Sequence, residues 1–421
     1  MHLTRLRTVD ACVCRPMKSS DQNRNYLTAA PGPGGLQGIH LAIVADNPVE
    51  TMGGVEKFSV ILDSELRHRG ASVTLYDRSF MPGYRRKWFD RLGLGIARRT
   101  GALGNAVGKD LRSANVDVIV QNGISGWSLR RTAKNLPRIV VHHGTYRGLA
   151  PMLLSPRDPL RTKVANRLFS SWELGAIEKW TSGRALSVAV SPSVADELRH
   201  IYRLDSTVIQ NGIDLRTFSP GSRREAREAL ALEIPPESIL VVFAGRVEYG
   251  KGSDLLRELA IRSQELLPQA RFLVCTDQKL TGWPENLTFL TNLSYARMPL
   301  AFRASDIILH PSRYEGCSLS VIEAMACGLA PLLSHVGHAG SIPQAAPEIL
   351  DYVLCDYSIE SWWSRLARLV NDPSELSKCG TAARRYTEEH HSRKAMGDAY
   401  EKLILQLVSD AQSKRHWAAR P

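Results

Sequence analysis

Twice along this chain a short apolar run leads into a turn, a helical stretch and another apolar run, and that alternation constrains the fold more than any other feature. The first series begins with "IHLAIVAD" at 39–46, a glycine turn, and the pattern "VEKFSVILDSELRHRG", whose Val55, Phe58, Ile61, Leu62 and Leu66 share one helical face before Gly70. It continues through "ASVTLYD", "VDVIVQNG" (116–123), "RIVVHHG" (138–144), "ALSVAVS" (185–191) and "STVIQNG" (206–212), with helical stretches such as 161–181 between them. A charged segment carrying a double proline, 222–238, interrupts the pattern. It then restarts with "ILVVFAGR", "RFLVCTD", "NLTFLTN", "DIILHPS", "LAPLLSH" and "YVLCDY". Strands separated by helices require right-handed crossovers and parallel sheets. The expected fold is therefore α/β, with two doubly wound Rossmann-like domains facing a central cleft. Ligands in such sheets bind beyond the carboxyl ends of the strands, and a cleft between two domains is the default site.

The expected divisions are a flexible extension over 1–37, domains over 38–218 and 219–395, and a C-terminal helix and tail over 396–421 that packs back on the first domain. A chain of 421 residues is too long for one ordinary core, which agrees with two domains. No apolar run approaches the ~20 residues that span a bilayer, and the longest, "ILVVFAG" at 239–245, has the length of a buried strand. The first twenty residues carry charge but no signal-peptide core; a dispensable or misassigned start is the preferred reading over an Arg- and Ser-rich transit peptide. Seven scattered cysteines, with Cys12 and Cys14 forming only a C-x-C, point to a reducing compartment and not to a disulfide framework or zinc. The expected location is the cytoplasm, including the inner face of the membrane. With 54 Lys and Arg against 42 Asp and Glu, the net charge of +12 favours phosphate-bearing partners without choosing among them.

The stretch "HPSRYEGCSLSVIEAMACGLAP" (310–331) places Glu315 in a polar turn and Glu323 within an apolar, helix-like run. Burying an unpaired carboxylate costs several kcal/mol, so Glu323 needs a partner, either a protein cation or a ligand. Eight helical residues would separate the two acids by ~12 Å, too far for the ~5–9.5 Å of a glycosidase pair. A ligand lying along the helix start suits the spacing better. Glu315 would meet one end of it, Glu323 the other, and the N–H groups of Gly316, Cys317 and Ser318 an anionic middle. A nucleotide-sugar, with its hexose, diphosphate and ribose, has that layout.

The stretch "FAGRVEYGKGSDLL" also follows a strand and opens a helix. From Gly245 to Lys251 it is one residue short of a P-loop, and Gly252 stands where a P-loop has Ser or Thr. Backbone amides at a helix start still favour an anion, and Arg246 and Lys251 add two cations. The plain alternative is two surface cations on an ordinary turn.

Together, "GRVEYGKG" and "PSRYEGCSLSVIEAMACGLAP" resemble the donor-site signature of retaining glycosyltransferases of family 4, which have the GT-B fold. Glu315 and Glu323 meet its E-x7-E pattern, and Arg246 and Lys251 its cationic pair. "MGGVEKFSVILDSELRHRGASVTLY", "VVHHGTY", "SPSVADEL" and "VIQNGIDLRTFSP" fit as well, so the resemblance covers roughly 39–395. It implies an acceptor-side first domain and a nucleotide-sugar donor domain. Gly53 and Gly54 would approach the diphosphate, Gly245 would line the same donor site, and Arg246 and Lys251 would neutralise the charge. Glu315 would bind sugar hydroxyls, Glu323 the ribose, and His143 would sit on the sugar or acceptor side, with His142 the weaker choice. The resemblance implies no metal and no cofactor beyond the nucleotide-sugar co-substrate.

Where the family usually has Gly-Gly-x-x-Glu, this chain has "VGHAGSIPQ", with His338 and no matching acid. His335 and His338 are too little for a metal site, and "EEHH" at 388–391 reads as a solvated helix face. "YRRKWFDRLGLGIARR" (84–99) has six basic residues, one acid and interleaved apolar ones, the composition of a helix lying on an anionic membrane or of a solvated basic loop. The expected function is transfer of a hexose-type unit, with retention, from a nucleotide-diphosphate sugar to a hydroxyl of a carbohydrate or lipid-linked acceptor in cell-surface polysaccharide or glycolipid biosynthesis. A nucleotide-sugar epimerase or hydrolase on the same fold is the alternative. A nucleic-acid-binding role is not expected, because no base-reading or stacking module appears.

Overall fold

The computed structural model of the chain describes residues 35–48, 53–81, 95–278 and 280–418. The extension over 1–34 and the basic segment 84–94 lie outside them.

Each apolar run of the sequence is a strand. The first sheet holds β1 (His40–Val44), β2 (Ser72–Tyr76), β3 (Val118–Asn122), β4 (Arg138–His142), β5 (Leu186–Ala189) and β6 (Thr207–Val208), in the order β2-β1-β3-β4-β5-β6. The second holds β7 (Ile239–Ala244), β8 (Ala270–Thr276), β9 (Leu287–Thr291), β10 (Ile307–His310), β11 (Ala330–Ser334) and β12 (Val353–Leu354), in the order β12-β11-β10-β7-β8-β9. The paired strands run parallel. Central strands such as β3, β4 and β10 are buried along their whole length, as expected where helices cover both faces of a parallel sheet.

The strand orders locate the crevices. The strand order reverses between β1 and β3 in the first sheet, which is ordered 2-1-3-4-5-6, and between β7 and β10 in the second, which has the 3-2-1-4-5-6 Rossmann order in its own numbering. The loops leaving β7 and β10 contain Arg246–Lys251 and Pro311–Ser318. The loops leaving β1, β3 and β4 contain Asp46, Gly123 and His143.

Both halves belong to one compact unit, and the chain crosses between them at adjacent places. Ile213 N–H donates to the His391 carbonyl at 2.9 Å, and Arg393 N–H to the Ile213 carbonyl at 3.0 Å. The last helix, Arg393–Ala418, lies against the helix Gly54–His68. Arg69 is paired there with Glu401 (2.5 Å), Asp398 (2.8 Å) and Glu65 (3.0 Å), and Arg393 with Glu65 (2.9 Å).

The stretch 161–181 is helical, as expected, with α-turns at Leu160–Ala165 and Leu174–Ser182 flanking a π-helical stretch, Asn166–Glu173. One local reading is corrected. "EEHH" is not wholly solvated. His391 is fully buried, and its Nδ1 is 2.9 Å from the Asn211 carbonyl, because it marks the crossing point between the halves.

Candidate active site

Three polar groups converge on one oxygen in the turn after β10. Glu315 Oε1 lies 2.5 Å from Lys251 Nζ, 3.0 Å from His310 Nε2 and 3.0 Å from Ser312 Oγ. Burial by itself would raise the Glu315 carboxyl; the Lys251 ammonium, with help from His310, more than offsets this and holds it well below the usual carboxylate range. The pair forms because Gly252, at φ +75°, turns the chain so tightly that a Cβ there would stand 2.2 Å from the Pro311 carbonyl oxygen. The loop after β7 is thereby pressed against the loop after β10. Gly245 also has a left-handed φ, +151°, but a Cβ there would meet nothing within 4 Å, so its backbone faces open space. Arg246 stands on the surface of this loop, 3.0 Å from Glu248 and 63% exposed.

Glu323 is fully buried in the helix Leu319–Ala326. Among the described residues no cation forms an ion pair with it. Tyr295 donates its hydroxyl to Oε1 at 2.7 Å, while Oε2 is buried with no hydrogen-bond partner among the described residues. Burial raises this carboxyl, and the charge of Lys57, on the first half's helix Gly54–His68, partly opposes that rise. Lys57 Nζ lies 4.6 Å from the centre of the Tyr295 ring. Sequence reasoning missed Lys57, since a lysine three residues into an amphipathic helix looks like any solvated one.

His143 approaches from the first half. Its Nε2 is 2.9 Å from Asn122 Oδ1, and its ring stands edge-on to Phe58 at 4.8 Å. Burial, with His142 beside it, lowers its pKa to about 3, so the ring is neutral. Asn122 in turn donates to the Val44 carbonyl and to Ser59 Oγ, both at 3.1 Å. His142 is a core residue, 3.4 Å from Glu178 and 3.2 Å from Ser182. The two halves meet where a Cβ on Gly316 would lie 2.2 Å from the His143 carbonyl oxygen. Beside it, Tyr314 donates to Glu197 at 2.7 Å and accepts from Thr145 N–H at 2.5 Å.

Gly53 and Gly54 open the helix that carries Lys57; among the described residues a side chain on Gly54 would meet nothing within 4 Å. Their neighbours 49–52 lie outside the described residues.

One expected contact is overturned. The Ser318 N–H is not free for an anion, because it donates to His338 Nδ1 at 3.3 Å. His338, buried at 1% exposure, also donates its own N–H to the Gly316 carbonyl at 2.9 Å. The histidine that stands in the departing motif thus props the 315–318 turn from behind. Cys317 has its thiol pushed up to about 12 by burial, and its carbonyl accepts from Asn211 at 3.1 Å. Among the described residues no group of three His, Cys, Asp or Glu is placed to hold a metal ion.

Two parallel Rossmann sheets whose carboxyl-end loops meet face to face define a protein of the GT-B fold. Residues 52–217 match the profile described as Glycosyltransferase Family 4, and residues 225–386 the one described as Glycosyl transferases group 1. The chain belongs to glycosyltransferase family 4. It is 30% identical to a D-inositol 3-phosphate glycosyltransferase of Segniliparus rotundus over 46% of each chain, and 26% identical to the protein of that name from Mycobacterium avium over 61% of each. The chain spans about half the length of the curated relatives it matches. Among solved structures, it is similar to sucrose-phosphate synthase of Thermosynechococcus elongatus (TM-score 0.71, 20% identity, 88% of this chain and 100% of that one). It is also similar to HepE of Anabaena in complex with UDP and glucose (TM-score 0.63, 15% identity, 87% and 100%).

Proposed function

We propose that this chain transfers a hexose-type unit from a nucleotide-diphosphate sugar to an acceptor hydroxyl in the cleft, with retention at the anomeric carbon. The observation that carries the reading is the cationic loop after β7 clamped to Glu315 after β10, at the switch point where a Rossmann sheet takes its ligand. Glu323, with one buried oxygen unpartnered among the described residues, is the acceptor for ribose hydroxyls. Glu315 binds the sugar hydroxyls through the oxygen that Lys251 leaves free.

In the reaction the bond between the anomeric carbon and the diphosphate oxygen breaks, and the acceptor oxygen bonds to that carbon. The acceptor proton passes to the departing phosphate. Arg246, Lys251, the amides of Gly316 and Cys317, and the backbone at Gly53, Gly54 and Gly245 receive the developing negative charge, preorganised before the bond breaks. Neutral His143, whose Nε2–H is given to Asn122, accepts a hydrogen bond from a sugar or acceptor hydroxyl through Nδ1. No carboxylate is assigned as nucleophile, and the cationic work is given to side chains and not to a metal. Acceptors of carbohydrate or lipid-linked type, in surface polysaccharide or glycolipid synthesis, suit a cleft of this kind, and cytoplasmic donors suit the reducing composition.

HepE, solved in complex with UDP and with UDP-glucose, makes these two compounds the first probes. The test is calorimetric binding of a panel of nucleoside diphosphates and their sugars, followed by mass spectrometry of products formed with cell extract. Binding of at least one nucleotide-sugar and appearance of a glycosylated product is expected; donor consumption with only free sugar or an isomerised donor would overturn the transfer reading.

A further inference from the structure

The twelve large apolar side chains that stand exposed among the described residues are not scattered evenly. Six of them, Met152, Leu153, Leu160, Val164, Leu168 and Trp172, fall within 152–172, with Leu160 76% and Trp172 60% exposed. The last four repeat every fourth residue. In an α-helix four residues overshoot a full turn by ~40°, so such a row would drift around the cylinder. The wider π-turns at Asn166–Glu173 oppose that drift and keep Leu168 and Trp172 in line with Leu160 and Val164. Exposed Arg157, Arg161 and Arg167 and half-buried Lys163 flank the row, with Asp158 the only acid between 157 and 172. The row ends at the cleft: a Cβ on Gly250, next to Lys251, would lie 3.3 Å from the Met152 carbonyl and 3.6 Å from the Leu153 side chain.

We propose that the segment 152–172 seats this protein on an anionic lipid surface, with the apolar row in the interface and the flanking cations among the headgroups. An apolar stripe with aromatic and leucine anchors, bordered by Lys and Arg, is the composition of a helix that lies in the plane of a membrane. None of the described helices is long and apolar enough to cross one, so the attachment is peripheral. Its continuity with the Lys251 loop directs the cleft mouth at the bilayer, where a lipid-linked acceptor would present its head group; this last point rests on the proposed function. The membrane contact expected over 84–99 falls mostly outside the described residues, and Arg99 of that stretch is directed inward, 2.6 Å from Asp46.

The test is co-sedimentation of the full chain with vesicles of phosphatidylglycerol and phosphatidylcholine in equal parts, and of phosphatidylcholine alone, at low and high salt. Binding to the anionic vesicles that weakens with salt is expected. Leu168→Glu with Trp172→Glu should weaken it by about tenfold or more, and Arg161→Glu with Arg167→Glu should remove most of the salt dependence. All four side chains are exposed or flank solvent, so thermal midpoint and nucleoside-diphosphate binding should stay as in the parent. Retained nucleotide binding separates a failure here from a failure of the proposed function. Unchanged vesicle binding in the Leu168/Trp172 variant would overturn the proposal. So would a parent that sediments as a dimer dispersed by those substitutions, since the row would then be a contact between copies.

Discussion

Lys251 Nζ and Glu315 Oε1, 64 residues apart in the chain, lie 2.5 Å from one another and tie the loop after β7 to the loop after β10. The ammonium has two tasks. It compensates a mostly buried carboxylate, and on the proposed function it neutralises a diphosphate. Lys251→Ala should lower turnover by more than about tenfold, equivalent to ~1.4 kcal/mol of transition-state stabilisation. A donor-consumption assay under saturating donor measures it, and a parent-like rate would remove Lys251 from the chemistry.

Glu323 presents the opposite balance between stability and binding. Burial raises its carboxyl and one oxygen has no partner among the described residues, so the folded chain carries a cost that a neutral amide would relieve. Glu323→Gln should leave the thermal midpoint unchanged or raise it, while weakening nucleoside-diphosphate binding by about tenfold, the loss of a charge-assisted hydrogen bond. Calorimetry and a melting curve on the same sample decide this together. A variant that melts lower yet binds equally well contradicts both halves of the expectation.

At Gly316 the two halves touch backbone to backbone. A methyl group there would lie 2.2 Å from the His143 carbonyl oxygen, and neither partner is a flexible side-chain end. Gly316→Ala should destabilise the protein by about 1–3 kcal/mol or hold the cleft apart, with activity falling in either case. Urea unfolding and small-angle scattering distinguish the two outcomes.

Acid should destabilise the fold before its carboxylates titrate. Burial lowers His143 to about 3 and His391 to about 4, and carries His338 well below its ordinary value. The unfolded chain takes up protons at these positions near pH 6.5, while the folded chain does not. As pH falls through about 6.5 the unfolded state binds more protons, and stability declines down to the folded values. Glu315 acts in the same direction lower down: its contribution is complete above about pH 4.3 and is lost as pH falls towards its depressed folded value. Urea midpoints measured between pH 7 and 4 should fall steadily, and His143→Gln should make the fall shallower.

The twelve strands, their grouping into two sheets and the placing of Arg246, Lys251, Glu315 and Glu323 near strand ends were legible in the sequence, because strand burial and turn chemistry are local properties. Apolar runs such as "ILVVFAG" can satisfy their backbone only inside a covered sheet, and glycines at 245 and 252 mark turns that other residues adopt at a cost. The π-turns at 166–173, the burial of His391 and the role of His338 were not legible. Each depends on what lies across from it: the crossing segment at 211–213 for His391, the 316–318 turn for His338. Lys57 is the plainest case, a helix-surface lysine by its spacing, made significant only by the Tyr295 and Glu323 of the opposite half. Local patterning decided where the chain would place strands, turns and charges. Only the docking of one half against the other decided which charges face one another, because that depends on contacts between residues hundreds of positions apart, which no short-range periodicity encodes.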